Sequence, residues 1–150
     1  MLLGRYFSRL TVKGRTALPI RYRQEIGEKV VIARWYEGCL VVVSLAEWDQ
    51  LLSRLTKKVE VPTQPVRDTD RFILGSAYEL KLDNQGRFVI PKYLKDYAEL
   101  KDEIVFLGLG DRIEVWDKDT WEKQEKFIQE HAEAMIEQIA KEKREVVKKD

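Results

Sequence analysis

A chain that writes one pattern twice must fold either as two related units or as one body with internal symmetry. Here the repeated pattern centres on a Gly-Arg turn. Lys13-Gly14-Arg15-Thr16-Ala17-Leu18-Pro19-Ile20 recurs as Gln85-Gly86-Arg87-Phe88-Val89-Ile90-Pro91-Lys92. Gly14, Arg15 and Pro19 map onto Gly86, Arg87 and Pro91 at a spacing of 72, while Leu40, Val42 and Trp48 map onto Ile113, Val115 and Trp121 at 73. In each copy an apolar-alternating strand enters the turn, a short strand leaves it, and a proline opens a helix.

Taken in order, Tyr6 to Leu10 reads as a strand that enters the first turn. Gly14 there supplies a positive φ and an uncovered backbone. Pro19 suits a first helical position and Gly27 the position past the end, which brackets Ile20 to Ile26 as a short helix. Val30 to Arg34 and Cys39 to Val43 form a hairpin across Trp35-Tyr36-Glu37-Gly38. Ser44 and Glu47 have capping-box spacing, and Trp48, Leu51, Leu52 and Leu55 give the following helix one apolar face, read as core or subunit contact. Lys57 to Asp70, with Pro62 and Pro65, reads as a linker, with helix resuming before Gly75. The second copy repeats the plan: a strand through Tyr78, Leu80 and Leu82, the turn Asp83-Asn84-Gln85-Gly86, a strand from Arg87 to Ile90, and a helix from Pro91 towards Ala98. Its hairpin joins Ile104–Leu107 to Arg112–Trp116 across Gly108-Leu109-Gly110-Asp111, and Asp117 or Asp119 caps the last helix. Trp121, Ile128 and Met135, with Ala132, Ile139 and Val146, repeat every seven residues as an interrupted stripe. Beyond Ile139 the charged run predicts fraying. The domain expectation is a first repeat over 1–58, a linker over 59–74, and a second repeat over 75–150 with the extended helix.

Charge separates the halves although the net formal charge is only +1. Residues 1–24 carry Arg5, Arg9, Lys13, Arg15, Arg21 and Arg23 with no acidic residue, a local basic face. Residues 1–75 hold 13 basic and 8 acidic side chains, against 14 and 18 for residues 76–150. Equipment for chemistry is sparse. His131 is the single histidine and reads as a solvated helix residue; Cys39, the single cysteine, reads as a small core residue. No phosphate loop, nucleophile elbow or zinc motif appears, so an enzyme is not expected, nor a cofactor, a metal or a small-molecule substrate. No apolar run approaches the roughly 20 residues of a membrane span, and Met1-Leu2-Leu3 runs directly into Gly4-Arg5, unlike a signal peptide; the expectation is a cytoplasmic protein.

Both Gly-Arg-containing turns with their prolines, the Gly38-Cys39-Leu40 hairpin exit and the Trp48 and Trp121 helices together resemble the MraZ family over roughly residues 1–125. The resemblance implies an α+β fold of tandem AbrB-like swapped-hairpin β units, related by a pseudo-twofold within one chain, with peripheral helices. It further implies a nucleoid-associated, DNA-binding transcriptional regulator that assembles into homo-oligomeric rings. Such regulators bind short G-rich direct repeats upstream of the bacterial division and cell-wall gene cluster, their own gene included. The family's Asp-x-x-x-Arg motif carries DNA contact and maps onto Asp83 and Arg87, and in the first copy onto Thr11 and Arg15. Thr11 departs from that motif: a hydroxyl keeps a local bond but cannot hold the arginine by charge.

The site expectation is therefore that Arg15 and Arg87 reach double-stranded DNA, that Lys13, Arg9, Arg21 and Arg23 hold phosphates, and that Thr11, Gly14, Asp83 and Gly86 shape and orient the turns. The competing assignment is that the two arginines merely brace their own turns. As a whole-protein alternative, a ring-forming scaffold with incidental DNA affinity would explain the near-neutral charge and apolar helix faces. An antitoxin reading is weaker, since single-copy AbrB-like chains carry a disordered tail and this tail is short, charged and helical.

Overall fold

Beyond the hairpin within each copy, strands in this chain find their partners in the opposite copy. The computed structural model describes residues 1–55 and 63–149. In the first copy these residues form β1 (Leu2–Arg9), β2 (Arg15–Ala17), α1 (Ile20–Ile26), β3 (Lys29–Arg34), β4 (Leu40–Ser44) and α2 (Leu45–Leu55), followed by α3 (Gln64–Ile73). The second copy gives β5 (Tyr78–Lys81), β6 (Arg87–Val89), α4 (Lys92–Tyr97), β7 (Glu103–Gly110), β8 (Ile113–Asp117) and α5 (Lys118–Lys149). The chain divides into two units, Met1–Lys118 and the helical segment from Asp119 onward.

All strands of the first unit pair antiparallel, in a six-stranded sheet of order β1-β7-β8-β4-β3-β5 and a separate two-stranded ribbon β2-β6. Each hairpin, β3-β4 and β7-β8, is edged by the first strand of the other copy. Register exposes the internal twofold. In the ribbon Thr16 faces Phe88, its own counterpart at a spacing of 72, and between the hairpins Val41 faces Glu114, its counterpart at 73. A pseudo-twofold axis therefore passes through both pairs, and the architecture is α+β with tandem swapped hairpins.

Alternation builds the core. Val30, Ile32, Leu40, Val42, Ile104, Phe106, Ile113 and Val115 turn one face of the four central strands into a cluster completed by Leu18, Tyr22, Phe88, Ile90 and Leu94. The opposite face of β3 and β4 packs against α2, whose Trp48, Leu51 and Leu52 are buried as its periodicity requires. Ser44 Oγ accepts the Glu47 amide at 3.2 Å, the first half of the capping box. Tyr22 is fully buried and donates its hydroxyl to the Gly4 carbonyl at 2.6 Å, tying α1 to β1. Cys39 is buried, and desolvation pushes its thiol pKa up, in keeping with a packing role.

Several element bounds differ from the sequence reading for identifiable reasons. β1 starts at Leu2 and β7 continues to Gly110, because Leu2–Gly4 pair with Gly108–Gly110; the pairing extends the strand through glycines that in isolation signal a loop. Pro19 and Pro91 sit one residue before α1 and α4, at the caps, with φ of −54° and −55°. In the stretch read as a linker, Gln64–Ile73 is helical with a proline in its first turn, a position where the missing N–H costs nothing. Residues 56–62, including Lys57 and Pro62, lie outside the described residues. The C-terminal helix does not fray at Ile139 but runs to Lys149, since its charged tail is made of strong helix formers with local support such as Gln138 to Glu142 at 3.1 Å. His131 is exposed on it, stacked on Phe127 with a ring-centroid distance of 4.2 Å.

Candidate nucleic-acid interface

The two short strands after the turns carry the arginines, and their pairing decides where those arginines point. Along β2 the residues alternate exposed Arg15, buried Thr16 and half-buried Ala17; along β6 they alternate exposed Arg87, buried Phe88 and exposed Val89. Arg15 lies directly opposite Val89, and Ala17 opposite Arg87. Cross-strand partners share a face, so both arginines emerge on the outer face of one ribbon as diagonal neighbours, roughly 7–8 Å apart at the backbone. They border one open depression of about 660 Å³ to which both copies contribute, with Arg9 and Thr11 from the first and Asp83 from the second.

The turns themselves are built alike. Thr11 N–H donates to the Arg15 carbonyl at 3.0 Å and Gly14 N–H to the Thr11 carbonyl at 2.9 Å; Asp83 and Gly86 make the same two bonds at 3.2 and 2.9 Å. Gly14 and Gly86 have φ of +81° and +73°, a conformation that side chains resist. A Cβ on Gly14 would also lie 2.6 Å from the Ile90 carbonyl oxygen, which is fixed backbone. Across the ribbon the two turns grip each other, Ile90 N–H to the Gly14 carbonyl at 2.8 Å and Leu18 N–H to the Gly86 carbonyl at 2.9 Å.

At the first residue of each turn the copies part. Asp83 Oδ1 accepts the Gln85 and Arg87 amides at 2.9 and 2.8 Å, and Oδ2 accepts Arg87 Nε at 2.6 Å. The Arg87 amide, its guanidinium next, holds the Asp83 carboxyl below its ordinary pKa although the side chain is exposed. Because only Nε is engaged, the terminal nitrogens of Arg87 have no partner among the described residues. Thr11 Oγ1 accepts the Arg15 amide at 3.0 Å, and the Arg15 guanidinium has no partner among the described residues. The depression thus holds three guanidinium groups, from Arg9, Arg15 and Arg87, against one carboxylate.

The remaining basic residues are dispersed around this face. Lys13 is exposed at the tip of the first turn. Arg21, exposed on α1, donates to the Tyr6 hydroxyl at 3.4 Å, a bond that raises its already high pKa. Arg23 differs: it is half-buried, its stem crosses Gly86, and Nη1 donates to the Asn84 carbonyl at 3.2 Å. Lys95, which the sequence reading did not single out, mirrors it from α4, with Nζ 3.1 Å from the Val12 carbonyl. Its signal was available, since Arg23 and Lys95 are 72 residues apart, the spacing of the repeat. Among the described residues no cluster of His, Cys, Asp and Glu could hold a metal ion, and no helix is long and apolar enough to cross a membrane.

The likeness to known proteins follows the same duplication. Residues 1–72 and residues 73–145 each match the family model described as that of the MraZ protein, of antitoxin-like character. The chain is 34% identical over 139 residues to the Transcriptional regulator MraZ of Caldanaerobacter subterraneus subsp. tengcongensis, a match that covers 93% of this chain and 96% of that protein. It is 37% identical over 123 residues to the Transcriptional regulator MraZ of Thermoanaerobacter sp. (strain X514), with coverage of 82% and 85%. With the Transcriptional regulator MraZ of Bifidobacterium longum it shares 38% identity over 122 residues, 81% of each chain.

Proposed function

The chain belongs to the MraZ family, and from that premise we propose that it is a DNA-binding transcriptional regulator, not an enzyme, that reads short G-rich direct repeats through Arg15 and Arg87. Its operators on this reading lie upstream of the bacterial division and cell-wall gene cluster, its own promoter included, and it works in the cytoplasm at the nucleoid. The observation that carries the proposal is the common outer face of the β2-β6 ribbon, from which both exposed guanidinium groups emerge.

Guanine fits this face. An arginine fork donates to O6 and N7 in the major groove, and each such pair is worth roughly 1–3 kcal/mol in discrimination. With Nε on Asp83, Arg87 keeps its two terminal nitrogens for that purpose. Arg9, Lys13 and Arg21 add the positive field that attracts phosphates, and each phosphate neutralised adds about −0.9 to the slope of log K against log salt. One subunit presents few contacts, so a homo-oligomeric ring on repeated operators gains avidity of roughly 10² to 10⁴ without new chemistry. Within each subunit the proposed division is a first repeat over 1–58 and a second over 75–150, joined by 59–74.

The scaffold alternative draws on the exposed apolar side chains of α5, among them Phe127, Ile136, Ile139 and Val146. A mobility-shift titration at physiological salt separates the two. Tight binding to a G-rich direct repeat, weak binding to a scrambled control, and loss of that preference in the Arg15→Ala/Arg87→Ala protein support the regulator; equal affinity for both duplexes favours the scaffold.

A further inference from the structure

We infer that Arg23 and Lys95 are positioning residues, each holding the reading turn of the opposite copy, so that Arg23 acts on DNA through Arg87 and not through a phosphate of its own. The inference rests on the DNA-reading role proposed for the two turns. Arg23 on α1 reaches 61 positions along the chain to the Asn84 carbonyl, and Lys95 on α4 reaches back 83 to the Val12 carbonyl. Asn84 and Val12 occupy equivalent places, immediately after Asp83 and Thr11, so the pseudo-twofold relates the two bonds.

The two cations are the half-buried ones of this face, whereas Arg9, Lys13, Arg15, Arg21 and Arg87 are exposed. Arg23 commits more than a hydrogen bond. Its Cδ stands 2.0 Å from where a Gly86 Cβ would be, so the stem lies flat on the turn, and its Nε is buried with no hydrogen-bond partner. An arginine whose stem covers a glycine and whose head ties down a turn carbonyl is arranged to limit the movement of that turn. Reading a base edge needs a fork held within about 0.5 Å and 10–20°, a demand that attraction to a phosphate does not make. Arg87 begins the strand that leaves the turn so held.

The two roles leave different marks. Losing a phosphate ligand makes the salt slope shallower by about 0.9 and weakens all sequences alike; losing a positioning residue leaves the slope and lowers discrimination. The test uses full-length Arg23→Met, Arg23→Lys and Lys95→Met proteins, with amide hydrogen exchange measured first without DNA. Arg23→Met should speed exchange of the Gly86 and Arg87 amides by about tenfold while leaving Gly14 and Arg15 unchanged, and Lys95→Met should do the converse. On DNA, Arg23→Met should lower the preference for the G-rich repeat over a guanine-substituted duplex by about 3–10-fold at unchanged salt slope, with Arg23→Lys restoring most of it. Unchanged exchange at Gly86 and Arg87, or a slope shallower by about 0.9 with discrimination intact, would overturn the inference. Since the exchange readout needs no DNA, an unmodified protein that ignores the repeat refutes the regulator reading and leaves the brace to be judged by itself.

Discussion

The turn at Thr11–Arg15 and the turn at Asp83–Arg87 share a backbone and differ in how firmly that backbone holds its arginine. In the second, one carboxylate takes two amides and the guanidinium, and a long side chain from the other copy lies across the glycine. In the first, a hydroxyl takes one amide, a lysine touches one carbonyl, and the guanidinium is left to solvent. Duplication has preserved the scaffold at both places while the polar detail has diverged. The second turn is pre-organised and the first is adaptable, a difference that affects the cost of binding more than the cost of folding.

The largest effect should come from the glycines. Gly14→Ala puts a methyl group against the Ile90 carbonyl in a left-handed conformation, and should cost about 2–4 kcal/mol in urea denaturation. Gly86→Ala meets only the flexible stem of Arg23, so it should cost about 1–2 kcal/mol. Equal costs would mean that the two turns are not pinned differently.

Next come the arginines themselves. Arg87→Ala should weaken binding to a G-rich repeat by about 10–100-fold, and Arg15→Ala by about 3–10-fold, because the pre-oriented side chain has less freedom to lose. Both proteins should melt within about 0.5 kcal/mol of the parent, as exposed side chains do. If either one unfolds the protein instead, that arginine is a brace.

Smaller still, Thr11→Asp should give the first copy the missing carboxylate and raise operator affinity by about 2–5-fold, whereas Asp83→Thr should lower it by a similar factor. A null result in both would remove orientation as the difference between the turns.

The least effect is on pH. Asp83 titrates below its ordinary 3.8 when folded, so its stabilisation is complete above the unfolded value and is lost as pH falls through the lower folded one. Discrimination should therefore be flat from about pH 8 to pH 5, and an NMR titration should place the Asp83 carboxyl below 3.8 while nothing at Thr11 responds. An Asp83 that titrates at or above its ordinary value would mean that its bond to Arg87 is absent in solution.

Much of this architecture was legible because the repeat supplied its own control. A Gly-Arg turn read once is ambiguous, but read twice at one spacing it located α1, the hairpins and both arginines. The choice of strand partners was not legible: alternation specifies which side chains face inward, and it is silent on whether β1 pairs with β3 or with β7. For the same reason the contact of Arg23 with the Asn84 carbonyl was not legible, since only the pseudo-twofold lays α1 across the opposite turn. Pro65 is ambiguous in a simpler way, since a proline suits both a break between repeats and the first turn of a helix, and here it stands in the first turn of α3. Thr11 was legible as a departure, and its effect on Arg15 follows the chemistry of the side chain.

The sheet order has a consequence for how the molecule is made. β1 is synthesised first, yet its partner β7 begins 94 residues after β1 ends, and β3 must likewise wait for β5. At about 5–20 residues per second, a nascent β1 stays unpaired for roughly 5–20 s. Neither half can complete its pairing before strands of the other half have been made, and the last hairpin to emerge completes the first.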